Sequence, residues 1–283
     1  MKILITGVNG QVGHALMHHL NEYNLVGLTR QDCDLTNLDL IKDMIDRHQP
    51  DLIINPAAYT KVDQAEDESD LAYRINLDVP RVMAEKSREY CIPFIHFSTD
   101  YIFDGVKDRA YKEKDMTNPL SVYGKSKLAG EEAIQEVGGQ FFIFRSSWVY
   151  SNIGNNFFLT IKRKISELNE LKVVDDQYGS PTSNIFISEQ IKLIIPKLNQ
   201  NNSGIYHLVP DGSCSWYEFA KIIITKTNSK FNINNLKPIK SVDFSSKAKR
   251  PQNGLLDNKK IKKTFMLKFD NWQNELAKVL YEA

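Results

Sequence analysis

A glycine-rich turn directly behind an apolar N-terminal strand constrains the fold of this chain more than any other feature of its sequence. The apolar residues 3–6 lead into Gly7-Val8-Asn9-Gly10-Gln11-Val12-Gly13, which opens a segment of helical spacing. Glycines permit a tight strand-to-helix turn and let the backbone approach a pyrophosphate, which the free N–H groups of a helix N-terminus bind. Gly7, Gly10 and Gly13 therefore predict a dinucleotide-binding turn.

Short β-branched runs alternate with helix-length segments through the first half of the chain. Strands are predicted at residues 3–6, 25–29, 52–55, 94–98 and 141–145. Helices are predicted at residues 11–21, 38–48, 70–90 and 125–137. This alternation is typical of a doubly wound α/β fold, in which helices cover both faces of a parallel sheet.

The pattern changes after about Trp148. Helices are predicted at 156–168, 185–198 and 216–227, with short extended pieces at 171–174 and 205–208 between them. We expect residues 1–150 to form the dinucleotide-binding Rossmann domain. Residues 151–283 are expected to form a smaller, mostly helical substrate-binding cap, with interleaving between cap and sheet left open.

Composition excludes several classes of function. The 36 Lys and Arg against 35 Asp and Glu give no basic excess for nucleic acid. No apolar run approaches the roughly 18 residues of a membrane span, and the N-terminus has no signal-peptide pattern, so we expect a cytoplasmic protein. The three cysteines lack Cys-x-x-Cys spacing, and the pair His14 and His18 has no third ligand, so no metal site is expected.

The end of the second strand bears on the choice of cofactor. Thr29-Arg30 stands where an NAD site commonly has an acid for the ribose hydroxyls, whereas an arginine suits a 2′-phosphate. Arg30 therefore favours NADPH. The alternative is NADH, with Arg30 solvated and Asp32 or Asp34 facing the ribose.

A Tyr-x-x-x-Lys motif supplies candidate catalytic groups. On a helix, Tyr123 and Lys127 lie on one face, one turn apart, although Tyr217 and Lys221 have the same spacing far from any predicted cofactor strand. The strand at 94–98 runs into Thr99, at the sheet edge where ligands bind. Ketone reduction places negative charge on oxygen, so a tyrosine proton donor beside a stabilising lysine suits that chemistry.

At these residues the chain resembles the extended short-chain dehydrogenases/reductases and, among them, the dTDP-4-dehydrorhamnose reductase family. The resemblance spans nearly the whole chain. The matching segments are Gly7–Gly13, Asp34-Leu35-Thr36, residues 55–66, Phe97-Ser98-Thr99-Asp100-Tyr101-Ile102-Phe103, Val122–Lys127, Arg145-Ser146-Ser147-Trp148-Val149-Tyr150, residues 155–157, Asp176-Gln177-Tyr178-Gly179-Ser180-Pro181-Thr182 and Arg250-Pro251.

The resemblance implies hydride transfer from a nicotinamide to C4 of a dTDP-4-keto-6-deoxyhexose. Tyr123 would protonate the carbonyl oxygen, Lys127 would hold the nicotinamide ribose and tune Tyr123, and Thr99 would donate a hydrogen bond to that oxygen. Further cofactor contacts would come from Gly10, Gln11, Val12, Asp34, Leu35, Ala57, Ala58, Tyr59 and Phe97. Thr99, Asp100 and Trp148 would touch the sugar.

Several residues keep a structural alternative. Trp148 also suits a plug between sheet and cap, and Asp100 suits a cap of the following turn. Arg250, held extended before Pro251, has a guanidinium that suits the substrate phosphates. His96, inside the fourth strand, is interpreted as an interior histidine and not as a general base.

Two other functions are compatible with the same residues. A sugar-nucleotide 4-epimerase would keep its cofactor and return the hydride to the same sugar, and a non-catalytic subunit would bind NADP and a partner enzyme. Related dehydratases follow Thr-Asp with a glutamate, where this chain has Tyr101, which disfavours dehydration. A homodimer is a family-level expectation.

Overall fold

The computed structural model describes residues 1–227 and 230–281. Its strands are β1 Lys2–Thr6, β2 Asn24–Leu28, β3 Leu52–Asn55, β4 Phe94–Thr99, β5 Phe141–Ser146, β6 Val149–Tyr150, β7 Leu171–Val174, β8 Tyr178–Gly179, β9 Thr182–Ser183, β10 Gly204–His207, β11 Cys214–Ser215 and β12 Leu236–Ile239. Its α-helices are α1 Gln11–His19, α2 Leu38–His48, α3 Ser69–Tyr73, α4 Val79–Glu89, α5 Val122–Val137, α6 Phe157–Glu167, α7 Asn184–Ile194, α8 Trp216–Lys226, α9 Lys259–Phe265 and α10 Trp272–Tyr281.

Six parallel strands form the main sheet, in the order β10-β5-β4-β3-β1-β2. The chain progresses from β1 to β2 in one direction and then from β3 to β10 in the other. The order therefore reverses beside β1, and in such sheets ligands bind outside the carboxyl ends of the strands at this point. The predicted doubly wound α/β fold is confirmed.

Helices cover both faces of this sheet because each strand alternates two sets of apolar side chains. One face packs Ile3, Ile5 and Phe144 against helices that include α1, α7 and α9. The opposite face packs Leu4 and Ile53 against α2, α4 and α5. Burial on both faces explains why these strands read as continuous apolar runs.

A second core holds the cap together. It joins α6, α8 and α10 around β7, with Phe158, Phe219 and Trp272 fully or almost fully buried. Ser215 caps α8 with a reciprocal hydrogen-bond pair involving Glu218, which fixes where the helix begins. No helix of the described ranges is long and apolar enough to cross a membrane.

Two predictions need correction. The single helix predicted at 70–90 is interrupted by a π-helical turn at Arg74–Asp78, because Pro80 has no N–H for the carbonyl of Asn76. The extended piece at 205–208 was assigned to the cap, but β10 is the edge strand of the main sheet beside β5. Sequence order alone does not reveal that the chain passes through the cap and then returns to the sheet.

Candidate active site

One large cavity follows the carboxyl ends of the main strands. Its volume is about 1010 Å³, and it runs from the turn after β1 to the junction with the cap. Most of the residues predicted to bind cofactor or substrate line it: Gly7, Gly10, Gln11, Val12, Gly13, Arg30, Asp34, Leu35, Ala57, Ala58, Tyr59, Phe97, Thr99, Tyr123, Lys127 and Trp148. Asp100 and Arg250 do not line it.

The glycine turn has the geometry of an anion site. Gly7 has a φ of +58°, and a Cβ on Gly13 would lie 2.3 Å from the Gly7 carbonyl oxygen, so both positions require glycine. A Cβ on Gly10 would approach that oxygen at 3.2 Å and otherwise point into open space. Gly10 is the N-cap residue of α1 and offers no side-chain cap, so the first N–H groups of the helix are available to phosphate oxygens. These residues fit a dinucleotide.

The two acidic residues that follow β2 accept hydrogen bonds from threonines in their own turns. Asp32 accepts hydrogen bonds from the Thr29 backbone N–H at 2.9 Å and from its hydroxyl at 2.6 Å. Asp34 accepts two from Thr36, each at 3.0 Å. These bonds lower the pKa of both carboxyl groups. Arg30 is exposed at the cavity wall, where its guanidinium is available to an anion.

Asn76 is a site-forming residue that the sequence analysis missed. Its side chain accepts a hydrogen bond from Tyr59 N (2.9 Å) and donates to Tyr59 O (3.1 Å) and Ser126 Oγ (3.0 Å). It thereby ties the cavity loop after β3 to α5, next to the candidate catalytic residues. The available signal was a polar residue four positions before a helical proline.

Tyr123 and Thr99 meet at the centre of the cavity wall. Ser121 caps α5 by accepting a hydrogen bond from Gly124 N at 3.1 Å, which places Tyr123 in the first turn. The Thr99 side chain lies beside the Tyr123 hydroxyl, and Tyr101 packs edge-on against the Tyr123 ring. Burial raises the pKa of Tyr123 well above its usual value, so the phenol keeps its proton at neutral pH.

Lys127 lies under Tyr123 but does not hydrogen-bond to it among the contacts of the described chain. Its Nζ donates to the Phe97 carbonyl oxygen at 2.7 Å and lies 3.0 Å from His96 Nε2. Burial lowers the pKa of Lys127 to about 8, which leaves mainly ammonium at pH 7. Residues four apart on a helix stand about 5–6 Å apart at Cβ, so this charge acts on Tyr123 through space.

Asp100 lies behind the cavity wall. Its Oδ1 accepts from the Thr99 hydroxyl at 3.1 Å, and its Oδ2 is buried without a partner in the described chain. Burial raises the pKa of this carboxyl to about 7. The turn after β4 is capped by Thr99, which accepts from Tyr101 N at 3.2 Å, and not by Asp100.

Trp148 joins the cavity to the cap core. It has a φ of +50° and stacks on Trp216 at 3.4 Å between ring centroids, with 9° between the planes. A non-glycine residue in the left-handed region is uncommon and requires support from its surroundings. Trp148 thus packs on the cap, which is one of its two predicted roles. It also lines the cavity, where its contact with the sugar stays a prediction.

Arg250 is engaged in a contact that the sequence analysis did not foresee. Its Nη2 donates to Asp63 Oδ2 at 2.7 Å, and Asp63 also accepts from Ala248 N at 3.0 Å. A further ion pair joins Lys247 to Asp67. These contacts tie the segment before α9 to the loop after β3. Arg250 also lies beside Tyr101, which lines the cavity, and its contact with the substrate phosphates stays a prediction.

Comparisons with known proteins identify the family of this chain. The family model described as the RmlD substrate binding domain matches residues 1–283. A dTDP-4-dehydrorhamnose reductase of Aggregatibacter actinomycetemcomitans is 37% identical, over 98% of each chain. That of Escherichia coli K12 is 36% identical, over 100% of this chain and 98% of the other.

A solved structure gives the same result. The dTDP-4-dehydrorhamnose reductase of Bacillus anthracis, in complex with NADP, superposes with a TM-score of 0.94 at 36% identity, over 100% of this chain and 99% of that one. The similarity therefore covers the full length of the chain in both sequence and structure. The chain belongs to the dTDP-4-dehydrorhamnose reductase family.

Proposed function

We propose that this protein uses NADPH to reduce the C4 ketone of a dTDP-4-dehydro-6-deoxyhexose, converting dTDP-4-dehydro-L-rhamnose to dTDP-L-rhamnose for cell-surface polysaccharide. The observation that carries the proposal is the meeting of Thr99, Tyr123 and Lys127 at one wall of the large cavity. The glycine turn stands at the other end, and the named relatives catalyse this class of reaction.

The chain's own residues account for the proton. When bound, NADPH supplies the hydride to C4. Tyr123 holds a proton at neutral pH and donates it to the carbonyl oxygen as negative charge develops there. Thr99 stands beside Tyr123, and in the complex its hydroxyl turns from Asp100 Oδ1 to donate its hydrogen bond to the same oxygen. The Lys127 ammonium then stabilises the phenolate left on Tyr123.

Cofactor preference follows from the charges near β2. Because the carboxylates of Asp32 and Asp34 are occupied by Thr29 and Thr36, the exposed Arg30 is the group best placed for a 2′-phosphate. We expect NADPH to be preferred, with NADH as a slower alternative. A higher kcat/KM for NADH than for NADPH would contradict this reading of Arg30.

The function is tested by following NADPH absorbance with the purified protein and dTDP-4-dehydro-L-rhamnose, made in situ from dTDP-glucose. Oxidation that yields dTDP-rhamnose supports a reductase. Tightly held cofactor with no net oxidation would indicate the 4-epimerase, and NADPH binding without any turnover would indicate the non-catalytic subunit. The homodimer and the cytoplasmic location stay predictions, the former to be tested by light scattering.

A further inference from the structure

A row of buried polar side chains runs across the sheet towards Lys127. Thr6 and Asn55 end the adjacent strands β1 and β3, and His96, in the middle of the neighbouring β4, stands opposite Asn55 in the β3–β4 register. They continue the sheet face that carries the apolar Leu4, Ile53 and Phe94 one step earlier. Each of the three polar residues is at most 1% exposed.

These side chains form one continuous hydrogen-bonded path. The Thr6 hydroxyl donates to Asn55 Oδ1 at 2.6 Å, and Asn55 Nδ2 lies 3.2 Å from His96 Nδ1. His96 Nε2 lies 3.0 Å from Lys127 Nζ. Burying polar side chains in an apolar layer costs desolvation free energy. Because this path leads to a candidate catalytic lysine, we looked for a role that would offset that cost.

The orientation of the Asn55 amide and the charge of Lys127 depend on each other through the single proton of the neutral His96 ring. A neutral imidazole has one nitrogen that donates and one that accepts. If Asn55 donates to Nδ1, then Nε2 carries the proton and Lys127 must be a neutral amine. If the Asn55 amide is turned by half a rotation, its oxygen accepts from Nδ1–H, and Nε2 accepts from a Lys127 ammonium. Thr6 suits both arrangements because a hydroxyl donates or accepts.

We propose that His96, supported by Asn55, is a positioning residue that accepts a hydrogen bond from the Lys127 ammonium and so holds the lysine charged beneath Tyr123. The proposal rests on the proposed reductase function for its catalytic meaning. His96 itself stays neutral, since its burial and the adjacent Lys127 lower the pKa of its ring well below the usual value.

Other charged groups near Lys127 do not replace this contact. Glu131, one turn further along α5, favours the ammonium, but Arg145 on β5 pairs with it at 2.6 Å. Tyr123 is protonated, and the Asp100 carboxyl after β4 is engaged by Thr99. The π turn packs on α5 through an uncharged amide. His96 is thus the neighbour that supplies Lys127 with a side-chain acceptor.

The test measures the charge of Lys127 directly, without substrate. The full-length protein is labelled with ¹³C at lysine Cε, and the Lys127 signal is identified by its loss in Lys127→Met. In His96→Leu we expect its pKa to fall by about one pH unit or more, because a charge-assisted hydrogen bond is lost. His96→Gln keeps an acceptor and should restore most of the pKa. His207→Leu, in another fully buried histidine, should leave it unchanged.

An unchanged pKa in His96→Leu, or an equal fall in His96→Gln, overturns the proposal. If His96→Leu does not fold, Asn55→Leu is measured in its place. Loss of the Asn55 hydrogen bond to His96 should also lower the pKa of Lys127, and an unchanged pKa contradicts the proposal. When kcat is measured as a function of pH, its decline at alkaline pH should begin at a lower pH in His96→Leu than in the wild type. Absence of turnover in the wild type would refute the reductase function but leave the titration valid.

Discussion

Replacing Asp100 by asparagine should make the protein more stable at neutral and alkaline pH. The Asp100 carboxyl is 2% exposed, and its burial raises the pKa from 3.8 to about 7. The folded state therefore binds this proton more tightly than the unfolded chain does. Stability from the protonated carboxyl is complete below pH 3.8 and is lost as the pH rises to about 7.

The size of the effect follows from the shift. About three pH units at about 1.36 kcal/mol each correspond to a total of about 4 kcal/mol. About two of those units fall between pH 5 and pH 7, which gives about 2.7 kcal/mol over a range that is easy to measure. Asparagine has nearly the same shape and is neutral throughout, so it lacks this pH dependence.

The assay is urea unfolding of both proteins, without ligand, at pH 5, 6, 7 and 8. We expect the free energy of unfolding of the wild type to fall relative to Asp100→Asn between pH 5 and pH 7 and then to level off. Thr99, which contacts this carboxyl at 3.1 Å, is present in both proteins and therefore does not contribute to the difference between them. Parallel pH curves for the two proteins would refute the reasoning, since they would place the carboxyl in contact with solvent.

Three further substitutions test the site and the core. Tyr123→Phe should lower kcat at least about 100-fold with nearly unchanged NADPH affinity, whereas Lys127→Met should weaken both; near-normal turnover of Tyr123→Phe would exclude it as proton donor. Trp148→Ala should mainly raise the KM for the sugar nucleotide, while unchanged kinetics with a lower Tm would leave it a packing role. Glu131→Gln, in a buried ion pair, should lower the free energy of unfolding by about 3–5 kcal/mol, against about 1 kcal/mol or less for the exposed Glu136→Gln; equal losses would contradict the burial argument.

The main sheet was predictable because its strands carry local signals. Strands β1 to β5 are short, mostly apolar runs, and the glycines after β1 set the first crossover. The break at the π turn was less visible, because proline is tolerated in the first turn of a helix. Pro80 stands there in α4, at the second position, and does not end a longer helix. The chain reaches β10 only after it has passed through the cap. No local sequence pattern shows that this strand pairs with β5 in the main sheet.

The candidate site was predictable where it follows strand ends. Thr99, Tyr123 and Lys127 lie at one wall because parallel strands and the next helix meet there. The contact of Arg250 with the substrate stays a prediction, and its ion pair with Asp63, 187 residues away in sequence, has no local signal. Likewise, the contact between His96 and Lys127 depends on strand register and on a buried side-chain path, and the sequence showed only an interior histidine.

The central claim is tested most directly by following the hydride itself. NADPH deuterated at C4 of the nicotinamide, in each stereochemical form, is incubated with the protein and dTDP-4-dehydro-L-rhamnose, and the product is examined by NMR and mass spectrometry. The account predicts one deuterium at C4 of dTDP-rhamnose from one of the two labelled forms, and none when Tyr123→Phe replaces the wild type under the same brief incubation. A product without deuterium from either form, or no product at all, would contradict it.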